Sequence, residues 1–570
     1  YIAQNNGNVD QSNKDSSYLA GVKTAQAVAK GSSDALTDPS KKNSYNSGSA
    51  AQDAAYKATV NGYLDGSNGN NANAQSTDST QSKAYNDAYL VAQQKGRDAA
   101  SAGAGSYLDG NNKPTGTSAE NLAQQKGYED ASKGYSDANN SSATIPEGAT
   151  QAYKDGFNAN KSGQAGISDI ENGTTTTPAD TTAYTKAQQA YDAASKAISA
   201  NPDSPAGASD NSPVYKTAYA KAISDLNQNY ATGKDQFISG NKQADTSVAV
   251  SSQAKSQIEQ GYNDIQRGFN DKINNATTKN ANSTTQAGAE MAQKVINSVN
   301  GVAAGNVLNS DDTIVQTANA AAQQAKQDLQ SNPDHSTTSD DPNIQNNPIK
   351  AAAYQVAVNQ MHQQYTDGSN AYLNNQAQPT TTLGDKGYTD AQSGFSAGFN
   401  GTTMPNQSSA TVAGQKAGEE ALAGYQSALD GKQDNSGTAM QQQANAAANQ
   451  AFEDAKQNKT SDVSNQPKVS YQLAYEKAMA AAQVATTSGA KAFTDGDTEP
   501  TGDKALDKVS QVAYEAAKSG YEAARDGSTI TSDEQNNPSF QAGVTAYQES
   551  IQGHDLYVSG QKLPDNASAA

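Results

Sequence analysis

Glycines that directly follow Asp, Asn or Ser recur along the chain at Gly173, Gly240, Gly301, Gly368, Gly401, Gly431, Gly496, Gly527 and Gly560. Their successive gaps are 67, 61, 67, 33, 30, 65, 31 and 33 residues, so the long gaps are close to twice the short ones. The unit is therefore about 31 to 34 residues, a length that marks stacked repeats rather than one globule. Gly66, Gly110 and Gly156 carry a looser version of the same theme. The expected organisation is a single tandem array over 1–570, less regular over 1–172 and more regular over 173–570.

Each unit reads as one helix and a polar loop. Tyr215, Tyr219, Ala222, Leu226 and Tyr230 are separated by 4, 3, 4 and 4 residues, and Tyr354, Val358, Met361 and Tyr365 by 4, 3 and 4. Tyr45, Ser49, Gln52, Tyr56, Val60 and Tyr63 form a third stripe, and Tyr471, Tyr475, Ala478 and Ala482 a fourth. This spacing keeps side chains on one face of an α-helix and is not the alternation of a strand. "NSPVY", "NNPIK", "QPKVSY" and "NNPSF" supply openings, because Pro loses no hydrogen bond in a first turn and a preceding Asn or Ser can cap it. The Asp-Gly and Asn-Gly pairs supply endings, with Gly in the left-handed cap conformation.

A second stripe is made of small residues: Ala413, Ala417, Ala421, Gly424, Ala428 and Gly431. It would let neighbouring helices approach toward about 8 Å, so that backbone dispersion replaces long side chains, with Tyr filling the gaps and its hydroxyl at a wet edge. The composition needs such a device. Leu, Ile, Val and Phe make up about a tenth of the chain, below the ~20% at which disorder becomes the default, and mean hydropathy is -0.82. The net charge of -19 over 570 residues is modest, so self-repulsion does not force the chain open. The expected fold is all-α: tandem helix–loop repeats, about 17 helices paired into hairpins, in an elongated solenoid or rod. Three-helix bundles strung as beads are the competing arrangement. Gly and Pro interrupt any heptad and exclude a long coiled coil.

The chemistry-bearing residues are sparse. His335, His362 and His554 have no partner at ligand spacing, and there is no Cys. His335 reads as a solvated loop residue. The acidic loop with Asp495, Asp497, Glu499 and Asp503 lacks the register of a calcium loop, and like "SDDPN" at 339 it reads as caps and turns. No catalytic, cofactor-binding or metal residue is assigned, and no cofactor is expected. The reading is non-enzymatic. Asn139, Asn172, Asn275, Asn400 and Asn458 begin Asn-x-Ser/Thr patterns that chance supplies in such a composition. An acidic chain without basic runs is a poor nucleic-acid ligand, and no apolar run is long enough for a membrane span.

Absent Cys, richness in Thr, Ser, Asn and Gln, and a pI near 4.6 point to a secreted or cell-surface protein of Gram-positive type. The start at Tyr1, without Met or signal peptide, reads as a mature form or fragment. Units with "YxxAYxxA" that close on "DG", such as "VSYQLAYEKAMAAAQ…FTDGD", resemble the Ala/Tyr/Gly-rich helical repeat regions of large surface proteins of lactobacilli and related Gram-positive bacteria. The resemblance is one of style over nearly the whole chain. It implies an extracellular fibre, filament or adhesive stalk that self-associates, or else a carbohydrate- or mucin-binding adhesin module whose partners are surface glycans or proteins. Such proteins often end in a Leu-Pro-x-Thr-Gly sorting signal. In "KLPDNASAA" Asn566 and Ala567 stand in place of that signal's Thr and Gly, so no wall anchor is expected in this stretch.

Overall fold

The computed structural model describes residues 15–71, 80–405 and 407–562. The altered sorting-signal positions Asn566 and Ala567 lie outside them. Among the described residues there are nineteen α-helices and no strand. They begin with α1 (Ser16–Thr37), α2 (Ala50–Ser67), α3 (Thr80–Leu108), α4 (Ala119–Asp137), α5 (Gln151–Asn172) and α6 (Thr181–Ala200). Next come α7 (Pro213–Ile238), α8 (Ser252–Ile273), α9 (Ser283–Ala303), α10 (Thr313–Ser331), α11 (Pro342–Gln345), α12 (Pro348–Leu373) and α13 (Thr382–Phe399). The last are α14 (Ser409–Leu429), α15 (Ala439–Lys456), α16 (Leu473–Thr494), α17 (Ala505–Asp526), α18 (Ser532–Gln535) and α19 (Pro538–Val558). Two of these, α11 and α18, are single turns, and 19 − 2 = 17 leaves the long helices the period implied.

The chain divides into two compact units, one up to Ala292 and one from Gln293, with the boundary inside α9. In the first, α1 to α8 pack in series, each on the next, with lighter contacts between α1 and α3, α2 and α4, α3 and α5, α5 and α7, and α6 and α8. In the second, the same serial packing runs through α10, α12 to α17 and α19.

Most starts follow the sequence signals. Asn347 accepts from the N–H groups of Ile349 and Lys350, both at 3.0 Å, and Pro348 opens α12 behind it. α7 and α19 begin at Pro213 and Pro538 in the same way, although the Ser212 hydroxyl makes no cap bond. Two openings differ. α2 starts at Ala50, so Tyr45 lies outside the helix it was grouped with and instead stacks on Tyr56, ring centroids 3.8 Å apart. Pro467 leads into a π-helical turn, Lys468–Gln472, before α16 begins.

The glycines separate into two kinds. Gly110, Gly173, Gly240, Gly401, Gly431, Gly496, Gly527 and Gly560 have positive φ and end helices as expected. Gly66, Gly156, Gly301 and Gly368 do not close helices: they lie inside α2, α5, α9 and α12. Their surroundings explain three of them. A methyl group on Gly156 would meet the carbonyl oxygen of Ala131 at 2.0 Å, and one on Gly134, in the facing helix, would meet that of Tyr153, also at 2.0 Å. Each glycine therefore opposes the carbonyl three residues before its partner glycine. Gly103 with Gly127 and Gly233 with Gly261 repeat this reciprocal contact in the first unit, and Gly368 with Gly387, Gly394 with Gly414, Gly398 with Gly418 and Gly520 with Gly543 repeat it in the second. Gly66 shares it with Gly96.

The contact is a helix joint made without side chains. Removing both Cβ atoms lets two antiparallel backbones meet, which recovers dispersion contacts and sets Cα–H groups against carbonyl oxygens. The expected small-residue face is real: Ala417, Ala421, Gly424 and Ala428 of α14 are all buried. The Tyr stripes of α7 and α12 are buried as well, from Tyr215 to Tyr230 and from Tyr354 to Tyr365.

Candidate functional site

An Asp stands three residues after four of the joint glycines, Gly127, Gly134, Gly261 and Gly387, one turn along the same helix face. Gly134-Tyr-Ser-Asp137, Gly261-Tyr-Asn-Asp264 and Gly387-Tyr-Thr-Asp390 show the tetrapeptide. In each, the glycine opposes the carbonyl of a Tyr on the neighbouring helix, and the Asp accepts a hydrogen bond from that same Tyr. Tyr153 donates to Asp137 at 2.8 Å, Tyr230 to Asp264 at 2.7 Å and Tyr365 to Asp390 at 2.6 Å. Gly62 and Asp65 hold Tyr89, and Gly166 and Asp169 hold Tyr184, both at 2.7 Å. With Ala325 or Ala451 three residues before the carboxylate, Asp328 takes Tyr354 at 2.6 Å and Asp454 takes Tyr475 at 2.7 Å.

This corrects the wet-edge expectation for Tyr230 and Tyr475, whose bonds to Asp264 and Asp454 are buried, whereas Asp137, the acceptor of Tyr153, still reaches solvent. A phenol driven deep by its ring must find an acceptor, and the facing helix supplies a carboxylate. The signal was present in the sequence as G-x-x-D.

The clasp is a structural device rather than an acid–base pair. Burial, and then the charge of Asp264, push the Tyr230 phenol above its ordinary value, so it stays protonated and donates. Asp264 is fully occupied, accepting also from Asn282 at 2.9 Å and pairing with Arg267 at 2.8 Å. Asp169 is held down to about 2 by the hydroxyls of Thr174 and Tyr184 and by Thr176.

A pH dependence arises from these shifts. Asp34, Asp137, Asp169 and Asp454 all lie below 3.8, so their contribution is complete above that value and fades as pH falls through their folded values, to about 2 for Asp169. The buried tyrosines, including Tyr135 at about 12, lie above 10.0, so theirs is complete below pH 10.0 and is lost as pH rises through the folded values. Melting temperature is expected to form a plateau that falls off below 3.8 and above 10.0. Asp169→Asn should flatten the acid limb, and thermal melts by circular dichroism across pH would show it.

The three histidines stay apart. His335 is not simply solvated: its Nδ1 lies 2.9 Å from the Ser336 carbonyl oxygen and 3.3 Å from the Tyr354 hydroxyl, and its ring meets Tyr354 edge-on. His362 lies in α12, its Nε2 buried without a partner among the described residues, and His554 is exposed beside Asp555. In the acidic loop, Asp495 pairs with Lys491 and Glu499 accepts from Gln511 at 2.8 Å. Asp341 caps α11. Among the described residues no three His, Asp or Glu side chains converge as a metal site would require.

Three of the surface grooves among the described residues are large enough to hold a small ligand. In the first unit, an apolar one of about 530 Å³ is lined by Val60, Tyr63, Leu64 and Leu122. A polar one of about 380 Å³ sets Arg97 and Lys154 among Asp98 and Asp155. The largest of the three, about 710 Å³, lies in the second unit between the 431–438 loop, α15 and the π-helical turn. Gln433, Gln442, Gln443, Asn449, Gln450, Glu453 and Tyr471 line it. Sequence reasoning missed it, because amides on α15 read as ordinary surface and Tyr471 read as part of a helix stripe.

No protein-family profile matches the chain, no curated protein is significantly similar to it, and no solved structure resembles it. No helix among the described residues is long and apolar enough to cross a membrane.

Proposed function

We propose that the chain is a non-enzymatic extracellular structural protein: an array of α-helical repeats, extended as a solenoid or rod, within a bacterial surface fibre, filament or adhesive stalk. One observation carries the reading. The same glycine–carbonyl joint recurs between successive helices in both units, three times with its Tyr–Asp clasp, so one interface is used again and again. Repetition of an interface builds length, whereas a catalytic fold converges its elements on one place. The Cys-free, amide- and Thr-rich composition and the resemblance to lactobacillus surface repeats support the extracellular setting. Self-association into filaments belongs to the same reading.

Antibody labelling of intact source cells, with electron microscopy of the purified protein, tests it. Labelling without permeabilisation, together with extended particles or filaments, is expected. Labelling only after permeabilisation, or compact dispersed particles, would overturn it. A second reading, a carbohydrate- or mucin-binding adhesin module, is favoured by the amide-lined groove with its tyrosine.

A further inference from the structure

We infer that the groove between α15 and the π-helical turn is a binding site for a short neutral saccharide. The inference rests on the second reading above and deepens it.

The groove is the right size. At about 710 Å³ it falls within the range of about 300–1,000 Å³ typical of small-molecule sites. It also departs locally from the repeat. Where the other long helices of the second unit from α12 on carry glycine, α15 has none, and the π-helical turn is the only one among the described residues. Single π-helical turns recur at functional sites because they break the register of a helix and re-aim its side chains. Here the turn brings half-buried Tyr471 to the groove wall, and its phenol has no hydrogen-bond partner among the described residues.

The amides opposite are partly spent, and what is left over is ordered. Gln442 gives its amide N–H groups to the carbonyls of Asn435 and Gly437, leaving its oxygen as an acceptor. Gln450 donates to Asp454 at 2.7 Å and likewise keeps its oxygen. Gln443 accepts from Ser470, which leaves its NH₂ as a donor. Glu453 is anchored by Lys456 at 2.8 Å and retains a free carboxylate oxygen. The wall therefore offers fixed acceptors and donors at short intervals beside an aromatic ring.

Vicinal hydroxyls of a pyranose each donate and accept, and its C–H face packs on an aromatic ring. Other ligand classes fit less well. Glu453 and Asp434 line the groove and no Lys or Arg does, which disfavours phosphates, sulfated glycans and nucleic acid. Little beyond Tyr471, Pro467 and Ala446 would suit a hydrocarbon ligand.

The test is saturation-transfer NMR and calorimetry of the full chain with a panel of neutral di- and trisaccharides built on glucose, galactose or mannose. A sulfated disaccharide and an Asn/Gln-rich peptide serve as comparisons. Binding of a neutral sugar is expected, weakened roughly tenfold or more by Tyr471→Ala and only a few-fold by Tyr471→Phe, which keeps the ring. Gln442→Leu, on an exposed position, should weaken it several-fold, through the lost acceptor and the two lost bonds to the 431–438 loop, with helical content unchanged. If sugar binding survives both Tyr471→Ala and Gln442→Leu, the site lies elsewhere: the inference fails and the adhesin reading stands. If no sugar on the panel binds, or only the peptide or the sulfated sugar does, the inference is overturned. Binding by the sulfated sugar alone would leave the adhesin reading in place, and binding by no glycan would remove it, leaving the stalk.

Discussion

Gly414→Ala is expected to destabilise the second unit by about 1–3 kcal/mol, although alanine is the better helix former by about 1 kcal/mol. The new methyl would sit 2.0 Å from the carbonyl oxygen of Ala391, and the opposing element is backbone, which cannot swing aside as a side chain could. α13 and α14 would have to separate, which would also loosen the Gly398–Gly418 joint one turn away. The sign is the diagnostic part. A Cβ added to Gly21 in α1 or Gly105 in α3 would have no neighbour within 4 Å. Alanine at either place should therefore stabilise by about 0.5–1 kcal/mol. Chemical denaturation of the three variants reads both signs. A stabilised Gly414→Ala would mean that these helices do not meet through their backbones.

Tyr230→Phe should cost about 1.5–3 kcal/mol, the range for losing a hydrogen bond to a charged group in a buried setting. The ring is retained, so packing is unchanged, and the loss falls on Asp264, which is buried and keeps only Asn282 and Arg267. Tyr425 is the control. It is buried to a similar degree, but its hydroxyl has no hydrogen-bond partner among the described residues, so Tyr425→Phe should stay within about 0.5 kcal/mol. Equal effects at the two positions would show that the clasp adds nothing beyond ring burial.

The helices were legible because their burial repeats at helical spacing. Tyr354, Val358, Met361 and Tyr365 lie inward as the spacing required. The two roles of glycine were harder to see, since Asp367-Gly368 and Asp430-Gly431 look alike as dipeptides. The residues on their C-terminal side tell them apart. Ala371 and Tyr372 continue the buried face after Gly368, whereas Gly431 is succeeded by Lys432, Gln433 and Asp434. The clasps were hidden by reading Asp as cap or turn and the Tyr hydroxyl as reaching water, each by itself. Only the facing helix makes them a pair, and a pairing across helices leaves no local periodicity. The groove was illegible for the same reason. Its amides come from three separate stretches of chain, and Tyr471 was re-aimed by a π-helical turn that "QPKVSY" does not announce.

The central claim, that stability resides in repeated and interchangeable neighbour joints, is tested most directly by excising one hairpin. Deleting Lys432–Gly496 removes 496 − 431 = 65 residues, including α15 and α16. It joins Asp430-Gly431 to Asp497 in place of Asp495-Gly496, so an equivalent helix ending is kept. α14 would then face α17 with Gly424, as α16 does with Gly489, whose Cβ position lies 2.0 Å from the Ser510 carbonyl oxygen. Helicity per residue and cooperative melting of the shortened chain are the quantities to measure, by circular dichroism and calorimetry. Retention of both, with a melting temperature within a few degrees of the parent, is the predicted result. Loss of helicity well beyond the excised residues would contradict the account.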